Sequence, residues 1–353
     1  MLSTHMRPLG QSAVNLSVLG FGAAPIGNLY QAVADEQAVA TVDEALALGI
    51  RYIDTAPHYG FGLSESRLGA ALRKHNAEKV FLSTKVGRLL VPTDSTADLR
   101  HGFAHTPALE PVFDYSYDGI MGSFEASLKR LNVERIDLLL AHDLGEVTHG
   151  AGHPARFREF MDGGYRAMRE LRESGVVGAI GLGANEWQVC EQAMGHADFD
   201  GFLLAGRYTL LEQGACETFL PLCARRGVSV ILGGPFNSGI LASGTRSDAP
   251  LYYNYELAPA AIVKRVSELE LVCQEFDVPL AAAALQFPAA HPQICSVIAG
   301  LASPQQVRQA VTWMNQTIPD DFWPALRELG LLHHQAPVPS ALFSSAKVEH
   351  LYE

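Results

Sequence analysis

Several marks by which a sequence usually announces its class are scarce or absent here. Cysteine is sparse: Cys190, Cys216, Cys223, Cys273 and Cys295 are widely spaced, and no C-x-x-C pair occurs. An odd count without a framework argues against a disulfide scaffold and fits reduced thiols in a cytosolic protein. No apolar run approaches the ~20 residues that span a bilayer. Residues 1–10 lack the apolar centre of a secretion signal. Positive charge is in deficit: 26 Lys and Arg against 38 Asp and Glu give a formal net charge of -12. Such a surface disfavours nucleic acids and anionic membranes as partners. A full glycine-rich phosphate fingerprint is missing. Gly20-Phe21-Gly22-Ala23-Ala24-Pro25 carries proline in place of the third glycine, and no amphipathic helix starts there. The pairs His101/His105 and His149/His153 are four apart but enclose glycine, and no H-x-H accompanies them, which is poor metal-ligand geometry.

What is present is a rhythm. The chain has 353 residues and is 48% hydrophobic, enough for a large core. Short apolar runs at 16–21, 52–53, 80–84, 136–141, 176–182, 201–204, 228–232 and 295–298 read as strands. Between them lie helical patterns. Residues 35–48 carry Val39, Val42 and Leu46 on one stripe, and 118–131 repeat Ile120, Phe124, Leu128 and Leu131. Residues 64–75 read as a helix capped by Ser64 with Glu65 in its first turn, and 158–174 as one stopped by Gly175. Eight strand–helix units without a polar linker predict one α/β domain, a (β/α)8 TIM barrel over the whole chain. Its core should run from about 16 to 315, with a helical C-terminal extension over 316–353. Long interruptions at 89–117 and 237–256 follow strands and should be rim loops that shape a site.

Four residues stand at or just past strand ends: Asp54, Tyr59, Lys85 and His142. In a parallel barrel they converge on the C-terminal rim, where such barrels keep their chemistry. Reduction of a carbonyl by hydride needs a proton for the developing alkoxide. A phenol, ordinarily near pKa 10, needs help to exchange one near neutrality. The Lys85 ammonium would lower the Tyr59 pKa, Asp54 would hold Lys85, and His142 would orient the reacting oxygen. Singly, each has a plainer reading as a turn, packing or paired residue.

The run Gly49-Ile50-Arg51-Tyr52-Ile53-Asp54-Thr55-Ala56-Pro57-His58-Tyr59-Gly60 resembles the signature of aldo-keto reductases. So do Ser64-Glu65 with Leu68-Gly69, Ser83-Thr84-Lys85-Val86-Gly87, and Arg135-Ile136-Asp137-Leu138-Leu139-Leu140 ending in His142. The likeness runs from about Leu19 to Val307, and the family tetrad falls on Asp54, Tyr59, Lys85 and His142. Asn28-Leu29-Tyr30, residues 114–120, and Ala141-His142-Asp143-Leu144-Gly145 with Thr148-His149-Gly150 look like the sugar-oxidising branch. That branch contains D-threo-aldose 1-dehydrogenase and L-fucose dehydrogenase, and pyridoxal 4-dehydrogenases are similar to it. Both chemistries oxidise a cyclic hemiacetal to a lactone.

The resemblance implies an NAD(P)-dependent aldose 1-dehydrogenase acting at C1 on a sugar such as L-fucose, D-arabinose or L-galactose. Pyridoxal 4-dehydrogenase, a general aldehyde or ketone reductase and a cofactor-binding scaffold barrel stand as alternatives. It also implies the cofactor residues. Asn185, with Gln213, would meet the carboxamide, and Tyr208 would stack beneath the nicotinamide. Gly233, Gly234, Pro235, Phe236, Asn237 and Gly239 would line the pyrophosphate region. Gly300, Ser303 and Gln306 fall on the adenosine side. Ala302 stands where many NADP-preferring relatives have a basic residue, so NAD is expected to be preferred over NADP. Ile26, Tyr30, His58, Arg88, Tyr115 and His149 are candidate substrate contacts. The expected partner is a small sugar or aldehyde in the cytoplasm, with the oligomeric state open. A Schiff-base aldolase through Lys85 would leave Tyr59 and the dinucleotide pattern unexplained, and a metal-dependent barrel hydrolase would need ligands this chain places poorly.

Overall fold

Alternating inward and outward side chains turn the short apolar runs into staves of a closed barrel. The computed structural model describes residues 2–75, 80–246 and 250–339. Its barrel strands are β1 (Leu19–Gly22), β2 (Tyr52–Asp54), β3 (Phe81–Val86), β4 (Ile136–His142), β5 (Val177–Ala184), β6 (Gly201–Ala205), β7 (Ser229–Gly233) and β8 (Ile294–Gly300). All pair in parallel, and β8 closes on β1. Helices α1 (Asp35–Ala47), α2 (Leu63–Leu72), α3 (Tyr117–Leu131), α4 (Tyr165–Glu173), α5 (Gln188–Met194), α6 (Phe219–Arg226), α7 (Ala260–Glu275), α8 (Leu280–Ala289) and α9 (Pro304–Asn315) surround it. This is a (β/α)8 TIM barrel. Gly181 lets β5 and β6 close up: a Cβ there would stand 1.8 Å from the Gly201 carbonyl oxygen.

Two apolar layers result. Leu138, Leu140, Ala179, Leu203, Ile231 and Ile298 fill the barrel interior with Tyr52. A larger layer joins the outer strand faces to the helices. An antiparallel hairpin, Met6–Pro8 with Asn15–Ser17, crosses the N-terminal end of the barrel. Its Leu9, Val14 and Leu16 cap the interior cluster from below.

The structure corrects three boundaries. Residues 16–21 are not one strand, because the hairpin ends at Ser17 and β1 starts at Leu19. Ser17 makes the break: its hydroxyl donates to the Leu19 carbonyl at 2.8 Å and accepts the Arg51 and Tyr52 amides at 3.1 Å. Ser64 does not cap α2, which begins at Leu63 after Gly62 at φ 91°. Its hydroxyl instead donates to the Ala23 carbonyl at 2.8 Å and meets the Thr55 hydroxyl at 2.9 Å, stitching α2 to β1 and the end of β2. The helix expected over 158–174 has a π-helical turn at Phe160–Gly164. There Gly164 passes so close to Tyr115 that a Cβ would lie 2.4 Å from its carbonyl oxygen.

Both rim loops have internal order. After β3, Arg88–Pro92 pairs with Leu109–Phe113, and Leu99–Arg100 with Phe103–Ala104. After β7 come a short helix, Ile240–Ser243, and a hairpin, Tyr252–Tyr253 with Glu256–Leu257. Residues 247–249 of that loop lie outside the described residues. In the C-terminal extension, α10 (Phe322–Glu328) buries Phe322 and Trp323 against Phe276 and Phe287. Positions 340–353 of the extension lie outside the described residues.

Candidate active site

Three adjacent strands build the site from below. Asp54 ends β2, Lys85 is next to last in β3, and His142 ends β4. Ser83 and Lys85, two apart, point to the same face of β3. Ser83 pairs in register with Asp54 on one side and Leu138 on the other. Lys85 is 1% and Asp54 3% exposed, directly above the apolar interior. The Lys85 ammonium has three partners. It donates to Asp54 Oδ2 at 2.7 Å, to the Thr55 carbonyl at 2.9 Å and to the Tyr59 hydroxyl at 3.0 Å. Ser83 donates to Asp54 Oδ1 at 2.7 Å and meets the Tyr52 hydroxyl at 2.8 Å. A polar chain therefore rises from the core through Ser83, Asp54 and Lys85 to the phenol of Tyr59. Two glycines place that phenol: at Gly60, φ 64°, a Cβ would lie 2.2 Å from the Gly27 carbonyl.

The electrostatics follow from burial and neighbours. Burial works against the Lys85 charge, but Asp54 and Tyr59 more than offset it, so its pKa is raised and it stays cationic. The net direction at Tyr59 differs from expectation. Burial raises its pKa, Lys85 opposes without cancelling, and Asp54 adds to the rise. The phenol is therefore protonated at neutral pH. Burial, then the Arg88 and Lys85 charges, hold His142 well below its ordinary value, so its ring is neutral. The His142 and Tyr59 rings meet edge-on with centroids 6.0 Å apart.

A second polar cluster flanks His142. Asp143 accepts from Arg88 through Oδ2 and from Asn185 Nδ2 through Oδ1 at 3.1 Å. Its Oδ2 lies 3.5 Å from His142 Nε2. Above the site, His58 sits among Phe103, His101 and His142, with centroids 5.4, 5.9 and 6.0 Å away. Tyr30, 58% exposed, and Tyr255, 63% exposed, stand at the mouth. Tyr255 occupies the left-handed tip of the Tyr252–Leu257 hairpin, held by its amide on Ser238 Oγ at 3.0 Å. A hollow of about 300 Å³ lies at the opposite barrel end beside Gln11, Arg172, Asp200 and Arg226, far from this chemistry.

Several expected contacts are used up inside the fold. Ile26 is fully buried, and its carbonyl accepts from Arg67 at 2.7 Å. Tyr115 is also buried, and its hydroxyl donates to the His142 carbonyl at 2.6 Å and meets His149 Nε2 at 3.0 Å. Arg88 pairs with Asp143 and covers the Phe113 ring at 4.5 Å. His149 packs on Phe113 at 4.5 Å. Of the six candidate substrate contacts, His58 and Tyr30 face the mouth.

On the cofactor side two expectations are corrected. Tyr208 is fully buried and stacks on Phe287 at 5.3 Å, so it cannot lie beneath a nicotinamide. Gln213 spends its amide nitrogen on the Thr209 and Leu210 carbonyls, each at 2.8 Å, and its oxygen on the His333 amide at 2.7 Å. It anchors the C-terminal extension instead. Asn185 stands at the rim beside Asp143. In the turn after β7, Gly234, Asn237, Ser238 and Gly239 all have positive φ. Pro235 is buried, and Phe236 packs edge-on to Trp313. Asn237 donates to the Gly206 carbonyl at 3.1 Å, while its buried Oδ1 has no partner among the described residues. Gly233 ends β7, and the atom nearest to a Cβ there would be Leu203 Cδ2 at 3.2 Å. Such turns accept phosphate closely. With Asn185 they fit an extended dinucleotide. At the far side, Gly300 is exposed at the end of β8. Ser303 caps α9 by accepting the Gln306 amide at 3.3 Å, and Gln306 Oε1 takes the Ala302 amide at 2.7 Å. Arg308 pairs with Glu44 at 3.0 Å.

Sequence reasoning passed over Ser83, His101, Phe103 and the part played by Asp143. The period of two in β3 signals Ser83, since it shares a face with Lys85. His101 and Phe103 had no local signal, because the nested hairpin that brings them over His58 is a tertiary arrangement.

A parallel barrel with a buried lysine between an acid and a phenol, next to a neutral imidazole, defines an oxidoreductase-type site. The model of the Aldo/keto reductase family matches residues 18–330, and the chain belongs to that family. Pyridoxal 4-dehydrogenase of Microbacterium luteolum is 43% identical over 340 residues, covering 94% of this chain and 98% of that one. D-threo-aldose 1-dehydrogenase of Pseudomonas sp is 38% identical over 324 residues, covering 90% and 95%. Among solved structures, the holo form of an aldo-keto reductase from Bacillus halodurans superposes with TM-score 0.71 at 26% identity, covering 97% of this chain and 100% of that one.

Proposed function

We propose that this protein oxidises a cyclic hemiacetal to a lactone and passes the hydride to a nicotinamide dinucleotide, NAD in preference to NADP. The observation that carries the reading is the Ser83–Asp54–Lys85–Tyr59 chain ending beside a neutral His142. Tyr59 exchanges the hydroxyl proton of the reacting carbon. Lys85 favours its phenolate, Asp54 keeps Lys85 charged and placed, and His142 hydrogen-bonds the same oxygen. The bound dinucleotide supplies the hydride acceptor; Asn185 and the 233–239 turn would hold it. Arg308 is engaged by Glu44 and Ala302 is apolar, which supports NAD.

Two substrates share this logic. Pyridoxal, as its internal hemiacetal, comes first, supported by the 43% identical relative and by the edge-on aromatic cluster of His58, His101 and Phe103 above the site. The aldoses expected from the sequence come second, supported by the 38% identical D-threo-aldose enzyme. The acidic surface supports a small-molecule partner rather than nucleic acid or membrane, and so a cytoplasmic setting. Among the described residues no helix is long and apolar enough to cross a membrane.

The test is a steady-state screen of pyridoxal, L-fucose, D-arabinose, L-galactose and simple aldehydes with NAD and NADP, following reduced nicotinamide. The expected order in kcat/KM is pyridoxal, then aldoses, with NAD ahead. Lactone-forming activity on none of them would end the proposal. Consumption of NADH or NADPH with open-chain aldehydes, without oxidation of any hemiacetal, would make the protein a general reductase. Dinucleotide binding without turnover would make it a scaffold.

A further inference from the structure

Two hydroxyls stand in the barrel interior where apolar packing would do. Tyr52 is 0% exposed and belongs to the cluster of Leu138, Leu140, Ala179 and Ile231 that fills the barrel. Gly20 on β1 makes room for its ring: a Cβ there would stand 2.9 Å from Tyr52 Cδ1. Ser83, on the neighbouring strand, is equally buried. Phenylalanine and alanine would fill the same space with no polar atom to satisfy, and a lone buried hydroxyl is costly. These two are not alone. The hydroxyls meet at 2.8 Å, and Ser83 reaches Asp54 Oδ1 at 2.7 Å.

The direction of the chain follows from its protons. A carboxylate only accepts, so Ser83 gives Asp54 its single proton. The Ser83 oxygen must then accept, and the Tyr52 hydroxyl must donate to it. Burial first, then the Asp54 charge, push the Tyr52 pKa well above its ordinary value, so that donor proton stays in place. Among the described residues the Tyr52 hydroxyl has no other hydrogen-bond partner, so the chain starts there. At the other end Asp54 is held on both oxygens, Oδ1 by Ser83 and Oδ2 by Lys85 at 2.7 Å. An aspartate turns easily about its Cβ–Cγ bond, and one hydrogen bond on one oxygen would not stop it. We propose, on the reading of Tyr59 and Lys85 given above, that Tyr52 and Ser83 are positioning residues: a strut of two hydroxyls that fixes the Asp54 carboxylate and so sets where Lys85 presents its ammonium to the reacting phenol. The Ser83 bond also draws charge from Asp54, which otherwise works against ionisation of Tyr59. The other groups that act on Tyr59 are Lys85 from β3, Asp143 after β4 and Tyr255 from the rim hairpin.

The test compares wild type with Tyr52→Phe/Ser83→Ala, a pair that strands no hydroxyl in the interior. Crystal structures of both free proteins read the geometry. In the double variant the Asp54 carboxylate should turn, and Lys85 Nζ should draw back from Tyr59 Oη beyond about 3.5 Å. Kinetics with pyridoxal and NAD read the consequence. Turnover should fall by about tenfold to a hundredfold, the worth of a hydrogen bond to a charged group, with substrate KM within about threefold. The alkaline rise of the oxidation rate should move to higher pH, because Asp54 then bears more charge beside the phenol. Tyr52→Phe alone keeps the Ser83 donor but frees it to turn, and should lie between. A pair that only packed the core would shift Tm and leave turnover and the pH profile in place. A double variant with Asp54 and Lys85 unmoved overturns the proposal. So does one whose turnover and pH profile match wild type. The crystal comparison needs no substrate, so failure of the lactone reading shows in the activity screen and failure of this one in the geometry.

Discussion

Replacing Lys85 by methionine separates what the buried ion pair does for stability from what it does for chemistry. Lys85→Met removes the ammonium but leaves the Asp54 carboxylate 3% exposed with Ser83 as its remaining side-chain donor. Breaking a buried pair this way costs about 3–5 kcal/mol. For 353 residues the unfolding entropy is about 0.74 kcal/mol/K, so Tm should fall by roughly 4–7 °C. Adding Asp54→Asn removes the stranded charge and should restore most of that loss. Activity should not follow. With Nζ 3.0 Å from Tyr59 Oη, the attraction between ammonium and phenolate is about 5.5 kcal/mol at an effective dielectric of about 20. Losing it lowers kcat/KM by up to about four powers of ten. Calorimetry and steady-state kinetics on the single and double variants give both numbers. Recovery of Tm together with turnover in Asp54→Asn/Lys85→Met would refute the reasoning, because the lysine would then be only structural.

Tyr59→Phe should reduce turnover by about a thousandfold while dinucleotide affinity, measured by fluorescence quenching, stays within about threefold; turnover within about tenfold of wild type would remove the phenol from the mechanism. Because burial raises the Tyr59 pKa, wild-type oxidation should climb with pH into the alkaline range, and a rate flat from neutral pH upward would contradict a phenol that must shed its proton first. His58 has its pKa lowered from 6.5 to about 2, burial being the main cause. The unfolded chain therefore binds the extra proton between those values, so His58 costs nothing above pH 6.5 and lowers stability by about 2 kcal/mol at pH 5. Urea melts at pH 7.5 and 5 should show this decline, and His58→Asn should shrink it. Gly181→Ala forces a Cβ to 1.8 Å from the Gly201 carbonyl and should abolish soluble expression, whereas a stable variant would mean that β5 and β6 can separate there.

The barrel was legible because eight apolar runs kept strand length and helical periods filled the gaps between them. Asp54, Tyr59, Lys85 and His142 could be placed on one rim because parallel strands all end at the same side. The exceptions have physical causes. Tyr208 and Gln213 sit in a segment whose position along the chain suggested the cofactor, but burial on Phe287 and a bond to His333 are decided by tertiary packing. The Tyr59 pKa was misjudged in net direction because a sequence shows a nearby lysine but not the depth at which phenol and lysine lie. Ser64 carries a capping residue's identity, yet two hydroxyl contacts to other elements outbid the helix end.

The hairpin beneath the barrel has a consequence for proton traffic. With Leu9, Val14 and Leu16 closing the barrel interior from below and Lys85 1% exposed above it, the lysine meets apolar packing on its lower side and the Tyr59 phenol on its upper one. A proton shed by Tyr59 is therefore handed on at the rim, where His142 and His58 stand edge-on, and not into the barrel below.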